Sequence, residues 1–306
     1  MRTALHIARP LAADALHIAR PLAAVATLAI VVWRLGAGPF LDGVRAVDGR
    51  ALLAASAIGV VTTLCCAWRW TIVARGLGIR LPLSPALAAY YRSLFLNLTL
   101  PGGVVGDVHR GVAHGNEVRD VGRGLRAVVW ERGAGQVVQA LLTVPVLLVL
   151  ASPVRSITPI VVAALLVTVA GVVVFVRARG MRPEVRLSRK AWAAVAFASA
   201  VVVVGHAATF VVAARVAGVT ASLVHLLPLA FLAMLAMVLP SIAGWGPREG
   251  ATAWVFSAAG LGADRGAATA VAYGVMVLAA SLPGAIVLLA GWLPGVRVPL
   301  RGATDA

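Results

Sequence analysis

Charged residues that follow broken helices are the chemically informative feature of this sequence. Asp107 and Arg110 follow one Leu-Pro break in an apolar stretch, and Arg248 and Glu249 follow a second one. A guanidinium group can bind a phosphodiester through two parallel hydrogen bonds, and a helix that restarts after a break offers free N–H groups to the same anion. The sequence therefore predicts that these four residues form lipid head-group sites, in which Arg110 and Arg248 receive the phosphate.

The breaks themselves indicate where such a site would lie. Irregular backbone survives at membrane depth only where protein or a water-filled cavity surrounds it. Two broken segments in corresponding positions of the two halves of a membrane protein are the sequence pattern of a transport site. The residues that break the helices are Pro101, Gly102, Gly103, Gly106, Pro240, Gly244 and Gly246.

The spacing of the charges also predicts how they pair. Asp107 and Arg110 are three positions apart, so on a helix they share a face and can form an ion pair. Arg248 and Glu249 are adjacent, so their side chains diverge and we expect them to have different partners. The alternative for both pairs is a structural role at the membrane interface.

A second group of polar residues is expected to line the cavity that the breaks enclose. Glu131 and Gln139 share one face of the apolar segment 125–150, and the carboxylate needs a partner such as Arg110 or Arg248. Asn97 lies one turn before the first break and can bond a freed backbone carbonyl. The alternative is that these groups only connect helices. The predicted polar cavity residues are Asn97, Glu131, Arg132 and Gln139.

The composition places these residues in a membrane protein. The chain has 306 residues, of which 61% are hydrophobic and 12% are charged, and its mean hydropathy is +0.95. Soluble domains average about 25% charged residues. No polar stretch is long enough for a soluble catalytic domain, so we predict an integral membrane protein.

The charge balance indicates lipids rather than nucleic acid as partners. The formal net charge is +16, and every basic residue except Lys190 is arginine. Basic loops on a membrane protein orient it with those loops inside and attract anionic head groups. No basic cluster is interleaved with stacking aromatic residues, which argues against nucleic-acid binding.

The motifs of common enzyme classes are missing from the sequence. It contains no HExxH, CxxC, GxxxxGK[ST] or GxSxG pattern. We therefore expect no catalytic residue, no metal, no cofactor and no enzymatic activity.

The apolar segments predict an all-α polytopic fold with six spanning helices and two re-entrant, Pro/Gly-broken hairpins. We expect the hairpins at 84–110 and 223–261 to enter from opposite faces as an inverted repeat. A loop is predicted at 36–50, a kink at Pro283 in the last span, and both termini are placed in the cytoplasm. The predicted crossings are 21–33, 51–73, 125–150, 157–176, 191–214 and 267–293.

The segment Trp68-Arg69-Trp70 stands near the end of an apolar stretch. Tryptophan at a span end is typical of an interfacial anchor, and an arginine there can extend to the head groups. We therefore expect Arg69 to extend to the lipid head groups.

The chain divides into three parts by composition. Residues 1–20 form an N-terminal cytoplasmic segment with a tandem duplication, since ALHIARPLAA at 4–13 recurs at 15–24. Residues 21–295 form the transmembrane domain, and residues 296–306 form a C-terminal tail.

In order and spacing, these motifs resemble the lysylphosphatidylglycerol synthase transmembrane family, the flippase-like domain at the N-terminal end of the multiple peptide resistance factor. The resemblance covers about residues 20–295. The residues that carry it are Trp68-Arg69-Trp70, Asn97 to Gly103, Gly106-Asp107, Arg110, Glu131-Arg132, Leu239-Pro240, Gly246 and Arg248-Glu249. It implies a bacterial inner-membrane protein that moves a phospholipid or a lipid-linked head group between leaflets. The sequence of 306 residues contains no aminoacyl-transferase domain, so we expect no transfer of lysine.

Three functions remain open at this level. Lipid translocation leads, and it predicts that Arg110→Ala or Arg248→Ala abolishes lipid movement while the protein still inserts and folds. An accessory or scaffold subunit would bind other membrane proteins of cell-envelope synthesis. A membrane enzyme acting on a lipid carrier would need Asp107, His109 and Glu131 as its acid and base groups.

Overall fold

The computed structural model describes residues 33, 36–150, 156, 158–165, 185–237 and 245–290. The labelled elements in these ranges are all α-helices, separated by turns and short breaks. They are α1 (Gly38–Ala46), α2 (Gly49–Gly76), α3 (Leu83–Thr99), α4 (Val105–Glu117), α5 (Val121–Val149), α6 (Arg189–Val216), α7 (Leu223–Ala236), α8 (Pro247–Ala258), α9 (Ala263–Ser281) and α10 (Pro283–Ala290).

Long apolar helices confirm an all-α, multi-pass membrane protein. Within the described ranges, α2, α5, α6 and the continuous stretch formed by α9 and α10 are long and apolar enough to cross a bilayer. A helix of 28 residues is about 42 Å long, against a hydrocarbon core of about 30 Å. The predicted kink at Pro283 coincides with a helix boundary, because α9 ends at Ser281 and α10 begins at Pro283.

Several sequence-based expectations concern residues outside the described ranges. The predicted crossing at 21–33 lies almost wholly outside them, and so does most of the crossing at 157–176. The number of six crossings therefore stays a prediction. The duplicated N-terminal segment, the C-terminal tail, Pro240 and Gly244 also lie outside the described residues.

Each of the two predicted hairpins contains two short helices with a break between them. The first consists of α3, with 17 residues, and α4, with 13, and the second consists of α7, with 14 residues, and α8, with 12. A helix of 17 residues is only about 25 Å long, which is shorter than the hydrocarbon core. These lengths fit segments that enter the membrane and return.

The order of elements in the first half recurs in the second. The helices α2 and α6 both contain 28 residues and begin 140 positions apart, at Gly49 and Arg189. The turns after them match: Ile79 N–H donates to Ala74 over 3.0 Å, and Val219 N–H donates to Ala214 over 2.9 Å. Gly78 and Gly218 occupy equivalent places with φ of 76° and 78°, a conformation that favours glycine.

The equivalent helices α2 and α6 pack antiparallel. Arg69, late in α2, bonds Ser199, early in α6. Gly205, further along α6, lies against Thr62 and Ile58, earlier in α2. Because the corresponding helices α2 and α6 run in opposite directions, the two halves of the chain are related as an inverted repeat, as the sequence predicts.

The predicted loop at 36–50 is wrong in part, because residues 38–46 form α1. Pro39 in the first turn supplies a helix-compatible φ without needing a backbone donor. Gly43 allows close packing on α9, since a Cβ there would lie 2.8 Å from the Cβ of Val271. Glycine and aspartate in this segment therefore mark a packed helix rather than a loop.

Candidate functional site

A buried ionic cluster connects α2, α4 and α5 at the centre of the first half. Glu131 is 0% exposed, and its two carboxylate oxygens have different partners. Arg69 donates to one oxygen from Nε over 2.9 Å and also from Nη2. Arg110 donates to the other over 2.7 Å. The sequence correctly proposes Arg110 as a partner of Glu131, but Arg248, its other candidate, pairs elsewhere.

Asp107 is the second carboxylate of the ionic cluster. It forms ion pairs with Arg110 at 3.0 Å and with Arg132 at 2.7 Å. Ser93 and Asn97 donate to it from α3 over 3.2 and 3.1 Å. The predicted pair Asp107–Arg110 is therefore confirmed, within a wider network.

Asn97 connects the two sides of the first break. Its side-chain oxygen accepts the Gly106 N–H over 2.7 Å, while its NH₂ group donates to Asp107. The expected bond to a freed carbonyl is wrong: the freed group at this break is an N–H at the start of α4, where the first turn has no internal acceptors.

Arg69 and Trp70 pack inside the protein and do not extend towards lipid, contrary to the sequence-based expectation. Both side chains are buried. The Arg69 guanidinium bridges Glu131 and Ser199 and lies over Gly135, where any side chain would occupy its space. The Trp70 ring covers Arg110, with the guanidinium carbon 4.7 Å from the ring centroid. Arg69 is thus a member of the ionic cluster that sequence reasoning missed.

The ionic cluster has an excess of positive charge. The guanidinium groups of Arg69, Arg110 and Arg132 face the carboxylates of Asp107 and Glu131, which leaves a formal charge of +1. The Arg110 side chain is 0% exposed, whereas the Arg132 side chain is 38% exposed. Arg132 therefore has the most exposed side chain of the three arginine residues.

Arg132 borders a cavity of about 240 Å³ between the two repeats. One part of the wall is polar and the other is apolar. Helices α2, α3 and α5 to α7 contribute to it, together with α9. The polar lining includes Thr62, Thr63, Arg69, Arg132, Gln136, Gln139, Ser199 and His206, and the apolar lining includes Leu94, Leu98, Val203, Met234, Met237 and Val277.

The second half contains its own buried ion pair. Arg248 donates to Glu249 over 2.9 Å from Nε, and both residues are buried at the start of α8. The other Glu249 oxygen accepts the Gly246 N–H over 2.7 Å. Gly246 has φ of 114°, which only glycine adopts readily. The expectation that Arg248 and Glu249 face different partners is wrong, because the pair forms where the helix begins.

An aromatic residue connects this second pair to the cavity. The Arg248 guanidinium lies 5.3 Å from the ring centroid of Tyr273. The Tyr273 hydroxyl is 2.8 Å from Nδ1 of His206, which lines the cavity. Arg248 itself is not among the lining residues, so its contact with the cavity is indirect.

The structure brings most of the predicted site residues together, but not all of them. Asn97, Asp107, Arg110, Glu131 and Arg132 form one network, and Gln139 lines the adjoining cavity. Arg248 and Glu249 form a separate pair. Direct phosphate binding by Arg110 or Arg248 stays a prediction, and their burial argues against it. Sequence reasoning missed Arg69, Tyr90, Ser93 and Ser199.

Gly106 is expected to be sensitive to substitution, because α4 approaches α3 closely there. A Cβ at this position would overlap the Ser93 carbonyl group. We predict that Gly106→Ala lowers the free energy of unfolding by about 1–3 kcal/mol, as overpacking does. Thermal unfolding in detergent measures this.

Gly133→Ala is the matched control, since no atom lies within 4 Å of its Cβ position. It should leave stability unchanged or raise it by up to about 1 kcal/mol, from helix propensity. Equal melting temperatures for the two variants would contradict the close approach of α3 and α4.

Comparison with known proteins places the whole arrangement in a family. The family model for the lysylphosphatidylglycerol synthase TM region matches residues 18–284, which include both hairpins, the ionic cluster and the cavity. A search of curated proteins found no significant match. The chain therefore belongs to the lysylphosphatidylglycerol synthase TM region family.

Proposed function

We propose that this protein moves a phospholipid or a lipid-linked head group between the two leaflets of the membrane, without covalent chemistry. The observation that carries the proposal is the cavity between two inverted repeats, bordered by an ionic cluster with one excess positive charge. Arg132, the most exposed arginine of that cluster, would bind the lipid phosphate.

The lining of the cavity suits an amphipathic ligand. Arg132, Gln136 and Gln139 on α5 offer hydrogen-bond donors, while Leu94 and Met234 contribute an apolar surface from the two hairpins. Lipid head groups need the first kind of surface and acyl chains need the second.

The inverted repeat supports movement between leaflets. In transporters of this type, the substrate site lies at the interface between repeats, and one repeat moves against the other to open the site to each side in turn. Here α2 and α6 form such an interface, and residues of both line the cavity.

The proposal contains no covalent step. Glu131 and Asp107 are each paired with two guanidinium groups. A carboxylate in this setting is stabilised as the anion and is a poor base. We therefore assign both a structural role, in which they hold the arginine residues in place.

Replacing Arg132 tests the proposal directly. We expect Arg132→Gln to slow lipid translocation at least about tenfold, because a hydrogen bond to a charged group contributes about 1.5–3 kcal/mol. The variant should fold, since Asp107 keeps Arg110, Ser93 and Asn97 as partners. The assay follows fluorescent phospholipids in proteoliposomes and measures how much becomes accessible to an external quencher over time.

Arg265→Gln is the matched control, because Arg265 is exposed at the start of α9 and is not among the cavity-lining residues. It should move lipid at the wild-type rate, and Arg132→Lys should fall between the two. Equal rates in wild type and Arg132→Gln would overturn the role of Arg132. No movement by wild type, together with stable co-purification of an envelope-synthesis enzyme, would favour the accessory role.

A further inference from the structure

The charges around the cavity indicate which class of lipid head group it binds. Resting on the proposed function, we infer that it selects head groups with net negative charge and neutral, hydroxyl-type substituents, and that it rejects head groups carrying an added amine. The observation behind this is the absence of any accessible acid among the described lining residues, beside a cluster of net charge +1.

No described residue that lines the cavity is an aspartate or a glutamate. The nearest acids, Glu131 and Asp107, bind guanidinium groups, and Glu131 is fully buried. An ammonium group needs acceptors and prefers a carboxylate, because it is a pure donor. The described lining therefore offers an amine-bearing head group neutral oxygen acceptors but not the carboxylate that it prefers.

The excess charge of the ionic cluster acts in the same direction. One phosphodiester neutralises it, since it carries a single negative charge. A head group that adds an ammonium brings a like charge close to Arg132 and Arg69, which also line the cavity. Selectivity of this kind arises from repulsion of the wrong ligand as well as attraction of the right one.

The remaining polar lining fits oxygen-rich substituents. Gln139 lines the cavity, and a glutamine side chain can donate to a phosphate or hydroxyl oxygen. Gln136 and Thr63 border the same space. The cavity volume is about 240 Å³. That is room for a small head group.

Translocation of three lipids by the wild-type protein tests the inference. Phosphatidylglycerol, phosphatidylethanolamine and lysylphosphatidylglycerol, each labelled on an acyl chain, differ in head-group charge. We expect the anionic phosphatidylglycerol to move at least tenfold faster than the lysylated lipid, with phosphatidylethanolamine between them. Equal rates, or faster movement of the lysylated lipid, would overturn the charge preference and leave translocation standing. No movement of any lipid would instead overturn the proposed function.

A charge introduced into the cavity provides a second test. Gln139→Glu lowers the formal charge of the site by one and adds an acceptor for an amine. The ratio of the phosphatidylglycerol rate to the lysylphosphatidylglycerol rate should therefore fall at least threefold. Gln139→Met removes the amide without adding a charge, so it is the matched neutral control and should lower this ratio by less than Gln139→Glu does. An unchanged ratio in a folded Gln139→Glu protein would contradict the electrostatic origin of the selectivity.

Discussion

Replacing Glu131 by glutamine is expected to lower the free energy of unfolding by about 3–5 kcal/mol, the usual consequence of removing one partner from a buried ion pair. The carboxylate is fully buried and compensates Arg69 and Arg110 at the same time. Without it, three guanidinium groups face only Asp107, and the formal charge of the ionic cluster rises from +1 to +2. Denaturant or thermal unfolding in detergent gives the change in stability.

Glu117→Gln is the control for this substitution, because the Glu117 side chain is 37% exposed and lies 3.5 Å from His114. A surface change of this kind should alter stability by no more than about 0.5 kcal/mol. Adding Arg69→Gln to Glu131→Gln restores the formal charge of +1 and should recover part of the loss. If Glu131→Gln melted at the same temperature as Glu117→Gln, Glu131 would not compensate the buried arginine residues.

The parts of the fold that follow from local pattern could be predicted from the sequence. Apolar runs give the long helices, and the Leu-Pro break after Thr99 gives the end of α3. The pair Asp107–Arg110 is also local, since three positions on a helix fix its geometry. The inverted repeat could be predicted because two similar breaks stand in the two halves and the basic loops set their orientation.

The Glu131 partner Arg69 could not be predicted, because that contact joins residues 62 positions apart. It depends on how α2 packs against α5, which no local pattern specifies. The Trp-Arg-Trp segment was also misleading: α2 continues to Gly76, so the segment lies inside the helix rather than at its end. A signal was nevertheless present in Gly135, one turn after Glu131 on the same face, which leaves room for the Arg69 guanidinium.

The second half also contains a buried arginine that packs on a glycine and pairs with an acid. Gly274 on α9 lies beneath the Arg248 guanidinium, as Gly135 lies beneath that of Arg69. The acid is Glu249, next to the arginine rather than on a distant helix. Arg248 therefore has a structural explanation that does not require a ligand, which changes what its removal should do.

Arg248→Met is the second substitution with a large expected effect, about 3–5 kcal/mol of lost stability. It leaves the fully buried Glu249 carboxylate with the Gly246 N–H as its remaining hydrogen-bond partner in the described structure. The sequence alone suggests that loss of this arginine stops lipid movement in a folded protein, whereas the buried geometry predicts loss of the fold itself. Unfolding measurements on the variant distinguish the two.

The double variant Arg248→Met with Glu249→Gln separates structure from function. In the double variant no buried carboxylate is left without its arginine, and the glutamine oxygen can still accept the Gly246 N–H. Most of the stability that Arg248→Met alone loses should therefore return. A double-mutant cycle gives the coupling energy of the pair. Because Arg248 is not among the cavity-lining residues, the stable double variant should still translocate lipid at more than half the wild-type rate. A stable double variant that moved no lipid would instead show that Arg248 acts in translocation, through Tyr273 and His206 or by moving into the cavity as the repeats rearrange.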